Sequence, residues 1–502
     1  MLFNSYEFLF AYLPCVLAAY WLLFRTAGPR WSILWLAAAS LFFYVIGEHA
    51  YPWLIVVSIL FNYGAGLAIG AAAPDRRKLV AAAAITVNLL GLFYFKYFNF
   101  AVQQFIAVGA LEKAPWVVTL PIGISFYTFT QIAYIADVYA KTAAERRLPS
   151  YGLFVSYFPH LIAGPILHHK EMMPQFLAPS RRLPLNLYIG AAMFAIGLAK
   201  KVLLADPAGL IATGTFGSAA ESVGFFAAWV GTLAYGLQIY FDFSGYSDMA
   251  IGLSLMLGIR LPINFNSPYK ATSILQFWRR WHITLSRFLR DYLYIPLGGS
   301  RRGEGRRYIN LLTTMILGGI WHGAGWTFLV WGALHGAAQA IAHAWSDLAK
   351  RGRVTRLPAW FGWALTMLFV LIAWVPFRAP NLHVTMNMWK GMAGLNGFAF
   401  PAIGPLAGLG QKLGVGIEAV QFSTLGVAQL GLISLIAVLA PNSQQIMRRY
   451  RVGLSSPGYG DLSPPTRFTL RLNWTSALLI GLMLGIAMRA IGSYSEFIYF
   501  QF

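Results

Sequence analysis

Residues 308–346 read Tyr308-Ile-Asn-Leu-Leu-Thr-Thr-Met-Ile-Leu-Gly-Gly-Ile-Trp-His-Gly-Ala-Gly-Trp-Thr-Phe-Leu-Val-Trp-Gly-Ala-Leu-His-Gly-Ala-Ala-Gln-Ala-Ile-Ala-His-Ala-Trp-Ser. The stretch is apolar and is split by the glycines between Gly318 and Gly325. Basic residues flank both ends, Arg306-Arg307 before it and Lys350, Arg351, Arg353 and Arg356 after it. A membrane span needs ~20 mostly apolar residues, and Lys and Arg collect on the cytoplasmic side. A chain that enters from the cytoplasm and returns there turns near the middle. That turn carries the glycines and His322 into the membrane interior or towards its far face.

The whole chain agrees with this. It has 502 residues, is 58% hydrophobic and 11% charged. A soluble domain is about 25% charged and about 45–50% apolar. The composition therefore excludes an ordinary soluble enzyme, a disordered chain and a fibrous repeat. Long apolar runs argue against a transmembrane barrel, whose strands alternate. The net charge of +21 suits cytoplasmic loops on an anionic leaflet better than nucleic acid, so no nucleic-acid partner is expected. The single Cys15 allows neither a disulfide framework nor a cysteine metal site. The first residues lack a basic segment and a small-residue cleavage site, and read as an uncleaved first helix.

Upstream of the hairpin, apolar runs lie near 8–24, 31–46, 53–72, 80–107 and 117–139. Their basic flanks (Arg25 and Arg30; Arg76-Arg77-Lys78; Lys141, Arg146 and Arg147) alternate consistently, with the N-terminus outside. Residues 151–185 are broken by Pro159, Gly164, Pro165, His168 and His169 and read as re-entrant. Spans follow near 186–204 and 223–258; Lys200 and Lys201 close the first of these against the charge rule. Residues 259–307 hold ten Lys and Arg. There Ile274, Trp278, Trp281, Leu285, Phe288 and Tyr292 recur every three or four residues, which predicts an amphipathic helix in the cytoplasmic interface. Downstream, spans near 358–377, 424–440 and 473–491 place the C-terminus outside, with 392–423 and 453–466 as loops. No internal repeat is evident.

Polar groups embedded in apolar sequence are costly in a bilayer and are functional candidates. His322, in Trp321-His322-Gly323, can be a general base or a packing histidine bonded to a carbonyl. His282, in Phe277-Trp278-Arg279-Arg280-Trp281-His282, can bind a donor or assist proton transfer, or simply sit in the interface. Asp242 and Asp248 can orient a histidine or pair with Arg279 or Arg280. The Arg-rich segment 279–307 can hold coenzyme phosphates or obey the charge rule alone. His335 and His343 follow on the next helix, and His160, His168 and His169 lie in the broken segment. None of the central histidines stands at i,i+3 or i,i+4 spacing, so no metal site is expected.

These stretches, with Pro121-Ile-Gly-Ile-Ser-Phe-Tyr-Thr-Phe, Ala163-Gly-Pro, Tyr240-Phe-Asp-Phe-Ser-Gly-Tyr-Ser-Asp-Met-Ala-Ile-Gly, Asn264-Phe-Asn-Ser-Pro-Tyr and Leu289-Arg-Asp-Tyr-Leu-Tyr-Ile-Pro-Leu-Gly-Gly, resemble the membrane-bound O-acyltransferase (MBOAT) family. The likeness is to its bacterial alginate O-acetylation branch, and extends to both ends, from Met1-Leu-Phe-Asn-Ser to Tyr499-Phe-Gln-Phe. It implies an all-α polytopic membrane protein. Its fold would be a ring of about 11–12 transmembrane helices, with re-entrant and interfacial helices, around a central tunnel. The chain 1–502 would form one acyltransferase domain, with core motifs in 117–350 and peripheral helices in 1–110 and 358–502.

The resemblance also implies an O-acetyltransferase with His322 and His282 as catalytic residues. Trp321, Trp278, Arg279, Arg280, Asp242, Asp248 and Asn266 would support them or bind the donor. The donor would be acetyl-CoA or another acyl carrier, with no bound cofactor. The partner would be a periplasmic SGNH-type acetyltransferase, since the chain has no Ser-His-Asp motif of its own, and the product an acetylated exopolysaccharide such as alginate. The place would be the bacterial inner membrane, among its lipids. The same motifs serve peptidoglycan, cellulose or teichoic acid acceptors. A transporter or a scaffold is the rival class, although the missing repeat argues against a transporter.

Overall fold

A computed structural model describes residues 1–140, 143–420, 422–455, 458–461, 464–491 and 497–498. Lys141 and the terminal segment 499–502 lie outside them. The described chain is overwhelmingly helical, with one pair of two-residue parallel strands, Phe400–Pro401 and Ile417–Glu418. Among the described residues, six helices are long and apolar enough to cross a membrane: Phe8–Thr26, Pro29–Gly47, Leu54–Ala71, Pro74–Ala107, Leu183–Ser218 and Ala359–Arg378. Two shorter apolar helices, Thr424–Leu439 and Trp474–Arg489, stand beside them. The chain is a multi-pass helical membrane protein.

Prolines at the first helical turn start several of these elements, including Pro29 and Pro74, where the missing N–H costs nothing. At the centre runs Phe225–Met256, whose residues 239–256 are all buried. It packs against Leu183–Ala199 through glycines: a Cβ on Gly197 would lie 2.6 Å from the Gly245 carbonyl oxygen, and one on Gly190 2.6 Å from that of Gly252. Small residues let membrane helices approach this closely. The predicted hairpin is present as Glu304–His322 and Trp326–Lys350. It splits at Gly323-Ala324-Gly325, not at Gly318-Gly319, which stay helical. Gly319 and Gly332 instead weld the two arms, since Cβ atoms there would meet backbone at 2.3 and 2.5 Å. At the base, Arg307 Nη2 lies 2.6 Å from Asp347 Oδ2, so the two basic ends do adjoin.

The structure corrects four sequence expectations. The span expected at 117–139 is helical only over Ile124–Tyr139, because Pro121 and Gly123 precede its first turn. The span near 186–204 runs on through a π-turn, Lys200–Ala205, into Asp206–Ser218; Pro207 sits at a first turn and does not stop it. The supposed loop 392–423 contains the helix Gly404–Lys412 and the strand pair. The amphipathic helix from Ile274 onward is two short helices, Ile274–Trp278 and Ile283–Leu289. His282 breaks it with a left-handed backbone (φ 42°), and His282 and Trp281 are buried in the protein, not laid on a surface. Residues 151–185 form Leu148–Ser156, Phe158–Leu161 and His169–Leu177, the broken course the sequence indicates.

Candidate active site

His322 is the last residue of the first hairpin helix. Its ring sits among Trp321, Trp331 and Phe377, with centroids 4.8, 5.1 and 5.1 Å away. It lines a cavity of ≈110 Å³ with Lys96, Trp321 and the segment 120–126. The Pro121-Ile-Gly-Ile-Ser-Phe motif therefore forms the opposite wall. Trp321 stacks on Phe129 at 4.9 Å.

His282 comes to the same place from a different segment; its ring centroid is 6.4 Å from that of His322. A ring nitrogen lies ~1.1 Å from its centroid, so the closest nitrogens are at least ~4 Å apart. That is too long for a direct hydrogen bond between the two rings. His282 adopts a conformation that costs a non-glycine residue of order 1–3 kcal/mol, and such strain persists only where the surroundings enforce it. Asn264 does so. Its backbone carbonyl accepts Ile283 N–H at 2.9 Å. Its Oδ1 lies 3.1 Å from His282 Nδ1 and accepts Thr284 N–H and Oγ1–H at 3.3 and 3.0 Å. A backbone N–H is an unambiguous donor, so this amide atom is the oxygen. His282 Nδ1 must then carry its proton, which leaves a lone pair at Nε2. Thr284 Oγ1 in turn accepts Ile166 N–H at 3.0 Å, tying the Ala163-Gly-Pro stretch to the same network.

The other predicted residues are dispersed. Trp278 Nε1–H donates to His335 Nδ1 at 3.2 Å, and Trp331 spans both histidines, 4.8 Å from His335. Asp242 and Asp248 are buried and paired, but not with Arg279 or Arg280. Lys201 Nζ lies 2.6 Å from Asp242 Oδ1 and 2.9 Å from Asp206, and Lys200 Nζ 2.6 Å from Asp248 Oδ2. The reason is packing: the helix bearing both lysines already meets the aspartate helix through its glycines. This also removes the conflict of Lys200 and Lys201 with the charge rule, because buried acids neutralise them. Arg279 is exposed; Arg280 is half-buried, its Nη1 3.5 Å from the Ser267 carbonyl. Asn266 bonds Asn442, not a histidine; the asparagine that reaches His282 is Asn264, two residues earlier. Among the described residues no three His, Cys, Asp or Glu side chains group as a metal site.

Asn264, Thr284, Trp331, Phe377 and Lys96 were not singled out from sequence. Two of them carried a signal: Asn264 opens one of the stretches that carry the family resemblance, and Lys96 is the lone central cation of an apolar run. His160 and His168 bond the Phe154 carbonyl and the Tyr292 hydroxyl, at 3.1 and 3.2 Å, away from this pair.

Comparison with known proteins fits the site. A family model described as MBOAT, membrane-bound O-acyltransferase family, matches residues 13–385, which include both histidines. A "Probable alginate O-acetylase AlgI" of Pseudomonas aeruginosa is 38% identical over all of both chains. A "Peptidoglycan O-acetyltransferase" of Helicobacter pylori is 44% identical over 79% of this chain and 80% of its own. A "Teichoic acid D-alanyltransferase" of Streptococcus thermophilus is 30% identical over 45% of this chain and 57% of its own.

Proposed function

Because the chain belongs to the membrane-bound O-acyltransferase family and is an O-acetyltransferase, we propose that it takes acetyl groups from cytoplasmic acetyl-CoA and passes them across the bacterial inner membrane to acetylate an exopolysaccharide, alginate. A periplasmic SGNH-type acetyltransferase completes the relay, since the chain carries no Ser-His-Asp motif. The observation that carries this reading is a buried imidazole, His322, lining one small cavity, with the buried His282 ring centroid 6.4 Å from its own. At ≈110 Å³ it is well below the ~300–1,000 Å³ of pockets for larger ligands, which favours a two-carbon acyl group over a long chain.

In this mechanism an acceptor hydroxyl enters the cavity beside His322. Its oxygen attacks the thioester carbonyl carbon as His322 takes the hydroxyl proton. The new C–O bond forms, the C–S bond breaks, and the proton passes to the leaving thiolate. His282, with a lone pair fixed at Nε2 by Asn264, accepts the other His322 ring N–H through one bridging water. It thus orients the base, as a third group does in nucleophile–base–orienter sites. Acid–base help of this kind is worth about 10²–10⁴ in rate.

The test follows ester-linked acetate released by mild base from secreted and envelope glycans, in cells with and without the gene. Loss from alginate supports the reading. Loss confined to peptidoglycan, the acceptor named for the Helicobacter relative, would move the acceptor there. Unchanged acetate in every glycan would overturn the proposal.

A further inference from the structure

We propose that Lys96 and Tyr97 are positioning residues, which hold the helix end that carries His322 through its backbone carbonyls. The inference rests on His322 acting in catalysis. An α-helix leaves its last carbonyls without partners, and here the chain turns away at Gly323-Ala324-Gly325. The carbonyls of Ile320, Trp321 and His322 would otherwise accept N–H groups from residues 324, 325 and 326. Side chains of a distant helix, Pro74–Ala107, take their place. Tyr97 hydroxyl donates to the Ile320 carbonyl at 2.6 Å. Lys96 Nζ donates to the carbonyls of Trp321 and His322 at 2.6 and 3.0 Å, and to Ser125 Oγ at 3.3 Å. Three acceptors thus match the three hydrogens of one ammonium group.

The arrangement does more than satisfy a helix end. A cation at a helix C-terminus also meets the negative end of the helix dipole. The Lys96 ammonium lies 5.8 Å from the Trp321 ring centroid and lines the His322 cavity, and Ser125 belongs to the facing wall. One side chain therefore fixes the backbone of His322 and ties both walls of the cavity together. Since its hydrogens are all engaged by protein acceptors, Lys96 is not assigned to bind substrate. Its effect runs through the place of the imidazole, where a misplacement of about 1 Å costs about 10²-fold in rate.

The full-length chain is tested as K96M, K96R, Y97F, H322A and K96M/H322A. Ester-linked acetate of cell glycans is measured per amount of folded membrane protein, and kcat and KM with purified protein and acetyl-CoA as probe. K96M is expected to lower kcat by about 10²-fold with KM for acetyl-CoA unchanged. K96R, which keeps donors at the carbonyls, restores most of the loss. In the H322A background K96M causes no further loss, because residues acting as a unit are non-additive. Folded K96M with wild-type acetylation, beside inactive H322A, overturns the inference. An active H322A instead overturns the catalytic reading of His322, so the two failures are distinct. If K96M does not fold, Y97F decides: a loss of about tenfold supports the inference and full acetylation overturns it. If acetyl-CoA is not consumed by wild type, the glycan acetate of the same variants decides in the same way.

Discussion

Replacing Asn264 by Leu removes the clamp on His282 while keeping the side-chain volume similar. In the structure its Oδ1 receives His282 Nδ1–H, Thr284 N–H and Thr284 Oγ1–H. The hydroxyl can rotate to another acceptor, which leaves two buried donors unsatisfied. Each costs about 1–3 kcal/mol, so the variant should lose about 2–6 kcal/mol of stability. Part of that returns if His282 relaxes from its left-handed backbone, a release of order 1–3 kcal/mol. Relaxation moves the imidazole and frees its tautomer, so activity should fall further than stability does. The expected loss in acetyl transfer is no larger than that of His282→Ala, and so below the about 10²–10⁴-fold expected when the base itself is removed. Thermal unfolding in detergent and glycan acetate per folded protein measure the two effects. A folded N264L with wild-type stability and acetylation would refute the reasoning, both for the clamp and for the fixed tautomer.

His282→Ala should lower transfer by less than His322→Ala, since it orients a base; equal transfer in H282A and wild type, seen in the same assay, counts against that role. Lys201→Met should destabilise by about 3–5 kcal/mol, since it strands Asp242 and Asp206 as buried or half-buried charges; K201M/D242L should regain much of this in thermal unfolding. Gly197→Leu should abolish accumulation of folded protein, because its Cβ would already meet the Gly245 carbonyl at 2.6 Å; quantitative membrane immunoblots report it. Arg279→Ala, at an exposed position, should change stability by less than about 0.5 kcal/mol, and unchanged glycan acetate would separate Arg279 from the reaction.

The helical hairpin could be read from charge alone, because Arg306-Arg307 and Lys350-Arg351 bracket an apolar stretch too long for one span. That reading placed His322 at its turn, where the structure has it. The broken helix at His282 was hidden. Ile274 to Tyr292 keep a helical period straight through the break, and only the three-dimensional clamp of Asn264 imposes the left-handed residue. Buried pairing of Asp242 and Asp248 was legible in kind, since intramembrane acids need partners. The partners were not: Lys200 and Lys201 lie far off in sequence and meet the acids only because glycines bring two helices together. Asn266 and Asn264 are equivalent as sequence and separate only by where the chain turns. Lys96 was visible as one cation among apolar residues, yet its target, a helix end over two hundred residues away, was not.

The most direct measurement gives labelled acetyl-CoA to the purified full-length chain in lipid nanodiscs, with and without a periplasmic acetyltransferase, and compares wild type with His322→Ala. The account predicts label transferred to the partner or its glycan by wild type, reduced by about 10²–10⁴-fold in folded H322A. Transfer by H322A at the wild-type rate would contradict it and move the chemistry away from the hairpin turn.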